Sequence, residues 1–256
     1  MSMNEMREII TSPKNPKVLL WRSLKDAKGR RETGCFLVEG AKAVEEALTS
    51  GFACEALLVQ SGVDVPLPAD ARVTEVSDRV MEAVCDTRTP QGLCAVMGMP
   101  AQTAGGSRIL ALDGLQDPGN VGTILRTADA AGFDSLILSG ECADIYSPKV
   151  LRATMGSVFH LPCERTEDLA GRLQGLASGM PVLASVLGGD PFFPALRSLP
   201  DTFCLVIGNE GSGITPEVQK VCTHRLTLPM QGGAESLNAA IAAGIMMYAL
   251  TNRHFL

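Results

Sequence analysis

The sequence predicts an α/β protein: a small N-terminal α/β domain over residues 1–99, a linker over 100–107, and a larger domain over 108–256 built on a mostly parallel sheet. Three observations lead there. After residue 107, short unbroken apolar runs alternate with helical segments, the pattern of strands buried on both faces of a sheet. Before residue 99 the same alternation occupies about 100 residues, an ordinary domain size. Between them lies MPAQTAGGS, small and turn-forming throughout.

In the first domain, Ser12-Pro13 and Asn15-Pro16 mark turns, and a helical run containing Val18, Leu19, Trp21 and Leu24 is expected to end near Gly29. Residues 35–38 then read as a strand, and Glu39-Gly40 opens a helix that runs through Leu48. Strands over 56–60, 73–76 and 92–97 and a short helix over 78–85 complete the unit. Residues 12–31 carry Lys14, Lys17, Arg22, Lys25, Lys28, Arg30 and Arg31 against Asp26 alone, a net of +6, although the whole chain carries -6. The remainder is therefore strongly acidic, which argues against indiscriminate coating of nucleic acid but leaves room for a local phosphate-contacting patch.

In the second domain, strands are expected at 108–112, 135–138, 158–161, 182–186, 203–207 and 226–228. Ligands of such sheets bind where the strands end. The first strand runs into Asp117-Pro118-Gly119-Asn120 and a helix whose core face is Val121, Ile124, Leu125 and Ala128. Arg126, about 200° from Ile124 on a 3.6-residue helix, points away from that core, and Gly122 one turn below it clears a path toward Asn120. The strand over 203–207 runs into Gly208-Asn209-Glu210-Gly211-Ser212-Gly213, where glycine permits close backbone approach and Ser212 or Thr215 is placed to cap a helix near Pro216. Asp113, Asp117 and Asp134 read as turn and cap residues.

The last stretch, LPMQGGAESLNAAIAAGIMMYAL over 228–250, places Ser236 where it can accept from the first amides of a helix. Leu237, Ile241, Gly244, Ile245 and Tyr248 fall on one helical face, so that face is expected to be packed, and the many alanines suit a close interface.

Several classes are excluded. No apolar run approaches the roughly 18 residues of a membrane span, and the opening MSMNEMREIITSPKN has no signal core, so a cytoplasmic protein is expected. The eight Cys form no C-x-x-C pair and read as free thiols; His160, His224 and His254 lack ligand spacing, and no metal is expected. The missing G-x-G-x-x-G and phosphate-loop Lys argue against dinucleotide and ATP binding.

Asn120-x-Gly122-x-x-x-Arg126, the Gly208–Gly211 turn, and Leu228-Pro229-Met230 followed by Ser236-Leu237-Asn238 resemble the three ordered motifs of the SpoU (TrmH-like) RNA 2'-O-ribose methyltransferases. Ser12-Pro13-Lys14-Asn15-Pro16, Arg30-Arg31 and Phe36-Leu37-Val38-Glu39-Gly40 resemble the substrate-binding domain, L30e-like, attached to many members.

The resemblance implies a trefoil-knotted (SPOUT) Rossmann-like catalytic domain and a homodimer through the last helix. It implies S-adenosylmethionine as cofactor, held by Gly208, Asn209, Gly211, Leu228, Met230 and Leu237. Arg126 would face the ribose hydroxyl, helped by Asn120, Glu210, Ser236 and Asn238. RNA would be met by Lys14, Asn15, Lys17, Lys28, Arg30 and Arg31. A guanidinium keeps its proton, so Arg126 is expected to stabilise a developing alkoxide and grip phosphate. Ribosomal RNA, 23S rRNA first, is the expected substrate; tRNA, or RNA binding without catalysis, is the alternative.

Overall fold

The structure, a computed structural model, describes residues 9–65, 67 and 71–255. Two compact units emerge: Met1–Pro100 with Tyr146–Leu151, and Ala101–Ile145 with Arg152–Leu256.

The first unit contains α1 (Pro16–Ser23), α2 (Ala27–Thr33), β1 (Cys35–Glu39), α3 (Ala41–Thr49), β2 (Cys54–Gln60), β3 (Val73–Val76), α4 (Asp78–Val84) and β4 (Leu93–Gly98). Its sheet has the order β1-β4-β2-β3, with β4 antiparallel to both neighbours and β2 parallel to β3. Val18, Trp21 and Leu24 point from the first helix into a core shared with Leu58, Val80 and Met81.

The expected single helix breaks after Ser23. Gly29, expected to end that helix, lies inside α2, because a Cβ there would stand 2.1 Å from the Ser23 carbonyl oxygen. Arg30 is buried, and its Nη1 donates to the Leu24 and Lys25 carbonyls, each at 2.8 Å. Glycine lets α2 approach the end of α1, and the arginine satisfies carbonyls that a helix end leaves open. Glu39 binds the loop after α4, accepting from the amides of Asp86 (2.6 Å) and Thr87 (3.2 Å).

The second unit contains β5 (Arg108–Asp113), α5 (Pro118–Ala130), β6 (Ser135–Ser139), β7 (Cys163–Thr166), α7 (Leu169–Ala177), β8 (Val182–Pro191), α8 (Phe192–Ala195), β9 (Phe203–Gly208), α9 (Pro216–Val221), β10 (His224–Thr227) and α10 (Ala239–Thr251); α6 (Pro148–Thr154) precedes β7 in the chain, and its residues up to Leu151 group with the first unit. Every ladder in its sheet, ordered β10-β8-β9-β5-β6-β7, is parallel.

The strand expected at 158–161 is absent. Ser157–Phe159 is a 3-10 turn, and the strand at this place in the sheet is β7, beginning at Cys163. Val158, Phe159 and Leu161 are buried all the same, and a short apolar run does not distinguish a strand from a buried turn. The chain enters that turn through Met155, a non-glycine residue at φ 51°. The strand expected to stop at 186 continues to Pro191, and its pairing with β10 jumps from Arg225↔Ala184 to Leu226↔Asp190. At the jump, Gly189 passes so close to β10 that a Cβ would lie 2.3 Å from the Arg225 carbonyl oxygen.

Residues 101–107 are fastened to the second unit. Glu164 accepts from the Ala104 amide at 2.8 Å and pairs with Arg172, and Asp134 accepts from the amides of Ser107 (2.7 Å) and Arg108 (2.8 Å). Burial pushes both carboxyls upward, but these donors outweigh it and hold both below the usual carboxylate range. Among the described residues, no helix is long and apolar enough to cross a membrane.

Candidate active site at the carboxyl edge of the parallel sheet

Central strands β5 and β9 lie side by side, with Asp113 paired to Gly208 at their carboxyl ends. The two following loops therefore start next to each other. The buried Asp113 carboxylate accepts from the Thr215 amide at 2.7 Å and from its hydroxyl at 2.8 Å, which ties the first loop to the end of the second. Thr215 was expected to cap α9, but its side chain makes no cap bond and serves Asp113 instead. An aspartate closing a buried apolar run requires partners, and that was the signal available in the sequence.

Gly208 has no room for a side chain: a Cβ would stand 2.3 Å from Gly213 C and Ile214 N. The loop folds back over it, with Asn209 and Gly213 exchanging two backbone hydrogen bonds at 3.0 Å. Asn209 locks that turn through Oδ1, which accepts from the amides of Gly211 (2.9 Å) and Ser212 (3.1 Å). Its Nδ2 donates to the Gly114 carbonyl at 2.7 Å.

Glu210 is left exposed at the tip, and it accepts from Asn120 Nδ2 at 2.9 Å. Asn120 lies in the first turn of α5, whose N-cap Asp117 accepts from the Asn120 amide at 2.8 Å. Asn120 Oδ1 in turn accepts from Asn238 Nδ2 at 3.0 Å, and Asn238 Oδ1 accepts from the amides of Ala240 (2.9 Å) and Ile241 (3.2 Å). The orientation of this chain of bonds follows from its ends. An ionised carboxylate only accepts and helix amides only donate, so both asparagine amides are fixed in between. Segments distant in sequence, at 120, 210 and 238, thus share one relay.

The N-cap of α10 is Asn238, so the expected capping by Ser236 is corrected: Ser236 lies exposed, two residues before the cap. Leu228 is buried, Met230 is half-buried and Leu237 is exposed. The Met230 and Leu237 amides find no acceptor among the described residues. Arg126 is on the solvent face of α5, opposite the buried Val121, Ile124, Leu125 and Ala128, and bonds to no described residue.

The face of α10 expected to be packed is instead open in the single chain: Leu237, Ile241, Ile245 and Tyr248 are 38–55% exposed. The buried set is Ala240, Ala243, Met246, Met247, Ala249 and Leu250. Gly244 is half-buried beside α5, where a Cβ would come 3.7 Å from Thr127 Cγ2.

In the first unit, Lys14, Lys17, Lys28 and Arg31 are exposed, Lys28 beside Glu32 at 3.8 Å. Asn15 caps α1 by accepting from the Lys17 amide at 2.9 Å. Arg30, expected among the RNA contacts, is the buried closure of α1 already described, so its guanidinium is engaged by the protein's own carbonyls.

Comparison with known proteins places this geometry. A model of the SpoU rRNA Methylase family matches residues 107–248, and one of the MRM3-like substrate binding domain matches 15–95. The chain belongs to the SpoU family. Its relatives include the 23S rRNA (guanosine(2553)-2'-O)-methyltransferase RlmP of Bacillus subtilis, 39% identical over 246 residues, covering 94% of this chain and 98% of the relative. A 23S rRNA (uridine(2479)-2'-O)-methyltransferase of Streptomyces viridochromogenes is 30% identical over 263 residues, covering 93% of this chain and 90% of the relative. Among solved structures, the AdoMet-bound rRNA methyltransferase from Sinorhizobium meliloti superposes with a TM-score of 0.81 at 34% identity, covering 97% of this chain and 98% of that one.

Proposed function

We propose that this protein is an S-adenosylmethionine-dependent RNA 2'-O-ribose methyltransferase whose substrate is ribosomal RNA, 23S rRNA first. The observation that carries this reading is the Glu210–Asn120–Asn238 relay, which joins all three motif loops at one sheet edge. Relatives named for 23S rRNA 2'-O-methylation favour ribosomal RNA over tRNA.

The cofactor fits the loops on grounds of their own. The turn closed over Gly208 sets loop backbone at the strand end, Leu228 supplies an apolar wall, and the Met230 and Leu237 amides have no acceptor among the described residues. When bound, S-adenosylmethionine supplies an electrophilic methyl group to the ribose oxygen. Asn209 and Glu210 hold the second loop in shape, and the relay fixes it against the first turn of α5 and the start of α10. Arg126, with no partner among the described residues, is available to an oxyanion and to the adjoining phosphate, and a guanidinium fork matches both. Asn238 is joined to the same loop through Asn120, and Ser236 stands two residues before it in the chain.

The open apolar face of α10 supports a homodimer through that helix, and the C-terminal trefoil knot is inferred from membership of the SpoU family. We place the protein in the cytoplasm, in keeping with the absence among the described residues of any helix long and apolar enough to cross a membrane.

The test is Arg126→Ala and Arg126→Lys with S-adenosylmethionine binding followed by calorimetry. Both variants are expected to bind the cofactor as wild type does and to lose about 100-fold or more in turnover on rRNA fragments. Near-normal turnover by Arg126→Lys would remove the specific guanidinium role. Absence of cofactor binding in the wild type would favour an RNA-binding protein without catalysis.

A further inference from the structure

Arg165, in β7, lies outside every motif. In the parallel register of β6 and β7 it stands beside Leu138, one residue before β6 ends, and from there its side chain reaches the loop that follows β6. Nη1 donates to the carbonyls of Ser139 (3.3 Å), Gly140 (2.7 Å) and Cys142 (3.1 Å), and Nη2 to those of Cys142 (3.1 Å) and Ala143 (2.9 Å). Four carbonyls thus converge on one cation. Each needs a donor, and oxygens gathered this closely repel one another, so the loop keeps its shape only around the guanidinium. A lysine nitrogen, with three donors on a single atom, cannot span the same set.

The loop held in this way is the lateral support of the first motif loop. Ser139 Oγ accepts from the Gly114 amide at 2.9 Å, the Ala143 amide donates to the Leu115 carbonyl at 2.8 Å, and Cys142 Sγ donates to the Leu112 carbonyl at 3.2 Å. Gly114 is therefore gripped from both sides, its amide by Ser139 and its carbonyl by Asn209 of the second motif loop. Asp117, the N-cap of α5, comes three residues later, and α5 carries Asn120 and Arg126.

We propose that Arg165 is a positioning residue for methyl transfer: through residues 139–143 it fixes Gly114, and with Gly114 the start of α5 and the placement of Arg126. The proposal rests on the methyltransferase reading given above and deepens it. An exposed arginine in an RNA-directed enzyme invites reading as a phosphate contact, but both terminal nitrogens of this one are committed to main-chain carbonyls. Its effect on the reaction is therefore indirect. A shift of about 1 Å at reacting groups costs on the order of 100-fold in rate, so a loosened Gly114 junction is felt in turnover rather than in RNA affinity.

The test uses the full chain, with methyl transfer to rRNA fragments measured at saturating S-adenosylmethionine and amide hydrogen exchange followed over the segment from Gly114 to Val121. Arg165→Ala is expected to lower kcat about 10-fold or more, to leave KM for RNA within about two-fold of wild type, and to speed exchange at Gly114. Arg165→Lys, which keeps the charge but not the fork, should restore only part of the turnover. Ser139→Ala cuts the next link while leaving Arg165 in place, so it should lower kcat as well, and Arg165→Ala/Ser139→Ala should be no slower than the slower single variant, since both act along one path. If Arg165→Ala does not fold, Arg165→Lys and Ser139→Ala carry the same comparison. The proposal is overturned if kcat is unchanged, if KM for RNA rises while kcat holds, if exchange at Gly114 does not respond, or if the two losses multiply. A wild type that transfers no methyl group, while exchange at Gly114 still answers to Arg165, ends the transferase reading and keeps the anchor; methyl transfer indifferent to Arg165 does the reverse.

Discussion

At the scale of single residues, the two asparagines of the relay do different work with the same side chain. Asn238 caps α10 through its oxygen and reaches Asn120 through its nitrogen. Asn238→Ala removes both contacts, and losing the cap should cost about 1 kcal/mol, lowering the melting temperature by about 2–4 °C. Asn238→Asp separates the roles. A carboxylate still accepts from the helix amides and suits the positive end of the helix dipole, but it cannot donate to Asn120. Thermal melts are expected to show Asn238→Asp as stable as wild type, while methyl transfer falls about 10-fold or more; full activity in this variant would dismiss the relay. The letters of this site were legible in the sequence, as Asn120, Glu210 and Asn238 each stood in a motif. The direction of their bonds was not, because it depends on an acceptor 90 residues from Asn120 and a donor 118 residues from it. Ser236 looked like the cap for the same reason: serine and asparagine both favour that position, and only the backbone distinguishes them.

At the scale of elements, sequence periodicity located most strands, and it failed where tertiary contact decided the outcome. Gly29 reads as a helix stop, yet it is the residue that allows α2 to touch α1. Alanine forms helix better than glycine by about 1 kcal/mol, but Gly29→Ala would drive a methyl into the Ser23 carbonyl. A net loss of about 1–3 kcal/mol is expected in urea denaturation; a gain would mean the helices can separate without cost. The fastening of residues 101–107 gives a pH prediction. Glu164 and Asp134 are held below the usual range, so their contribution is present above the unfolded carboxyl pKa and is lost as pH falls through the folded one. The urea midpoint should therefore fall from pH 6 to pH 3, and less steeply in Glu164→Gln. The thiols are a third element-level consequence. Burial pushes Cys163 up to about 12 and Cys222 to about 11, burial being the main cause, so both should resist alkylation in the native protein at pH 8.

For the whole molecule, the two-part organisation and the parallel sheet followed from the alternation of apolar runs. What did not follow was topology. Segment Tyr146–Leu151 groups with the first unit although it lies well inside the second in sequence, and β8 pairs with β10 across a five-residue discontinuity closed by Gly189. No local pattern encodes either, since both are properties of how distant segments meet. The open face of α10 underlies the dimer proposed above. Ile241→Glu on that face should convert the dimer proposed here to monomer in analytical ultracentrifugation without unfolding the chain. A wild type that sediments as monomer at micromolar concentration would contradict the dimer.

The central claim is that this chain methylates a ribose in ribosomal RNA through Arg126. The most direct measurement is a map of 2'-O-methyl groups across total RNA, read as primer-extension stops at low nucleotide concentration, from cells with the gene, without it, and with Arg126→Ala in its place. The account predicts that one rRNA stop disappears on deletion, returns with the wild-type gene and fails to return with Arg126→Ala. Identical maps from all three strains, in rRNA and tRNA alike, would contradict it.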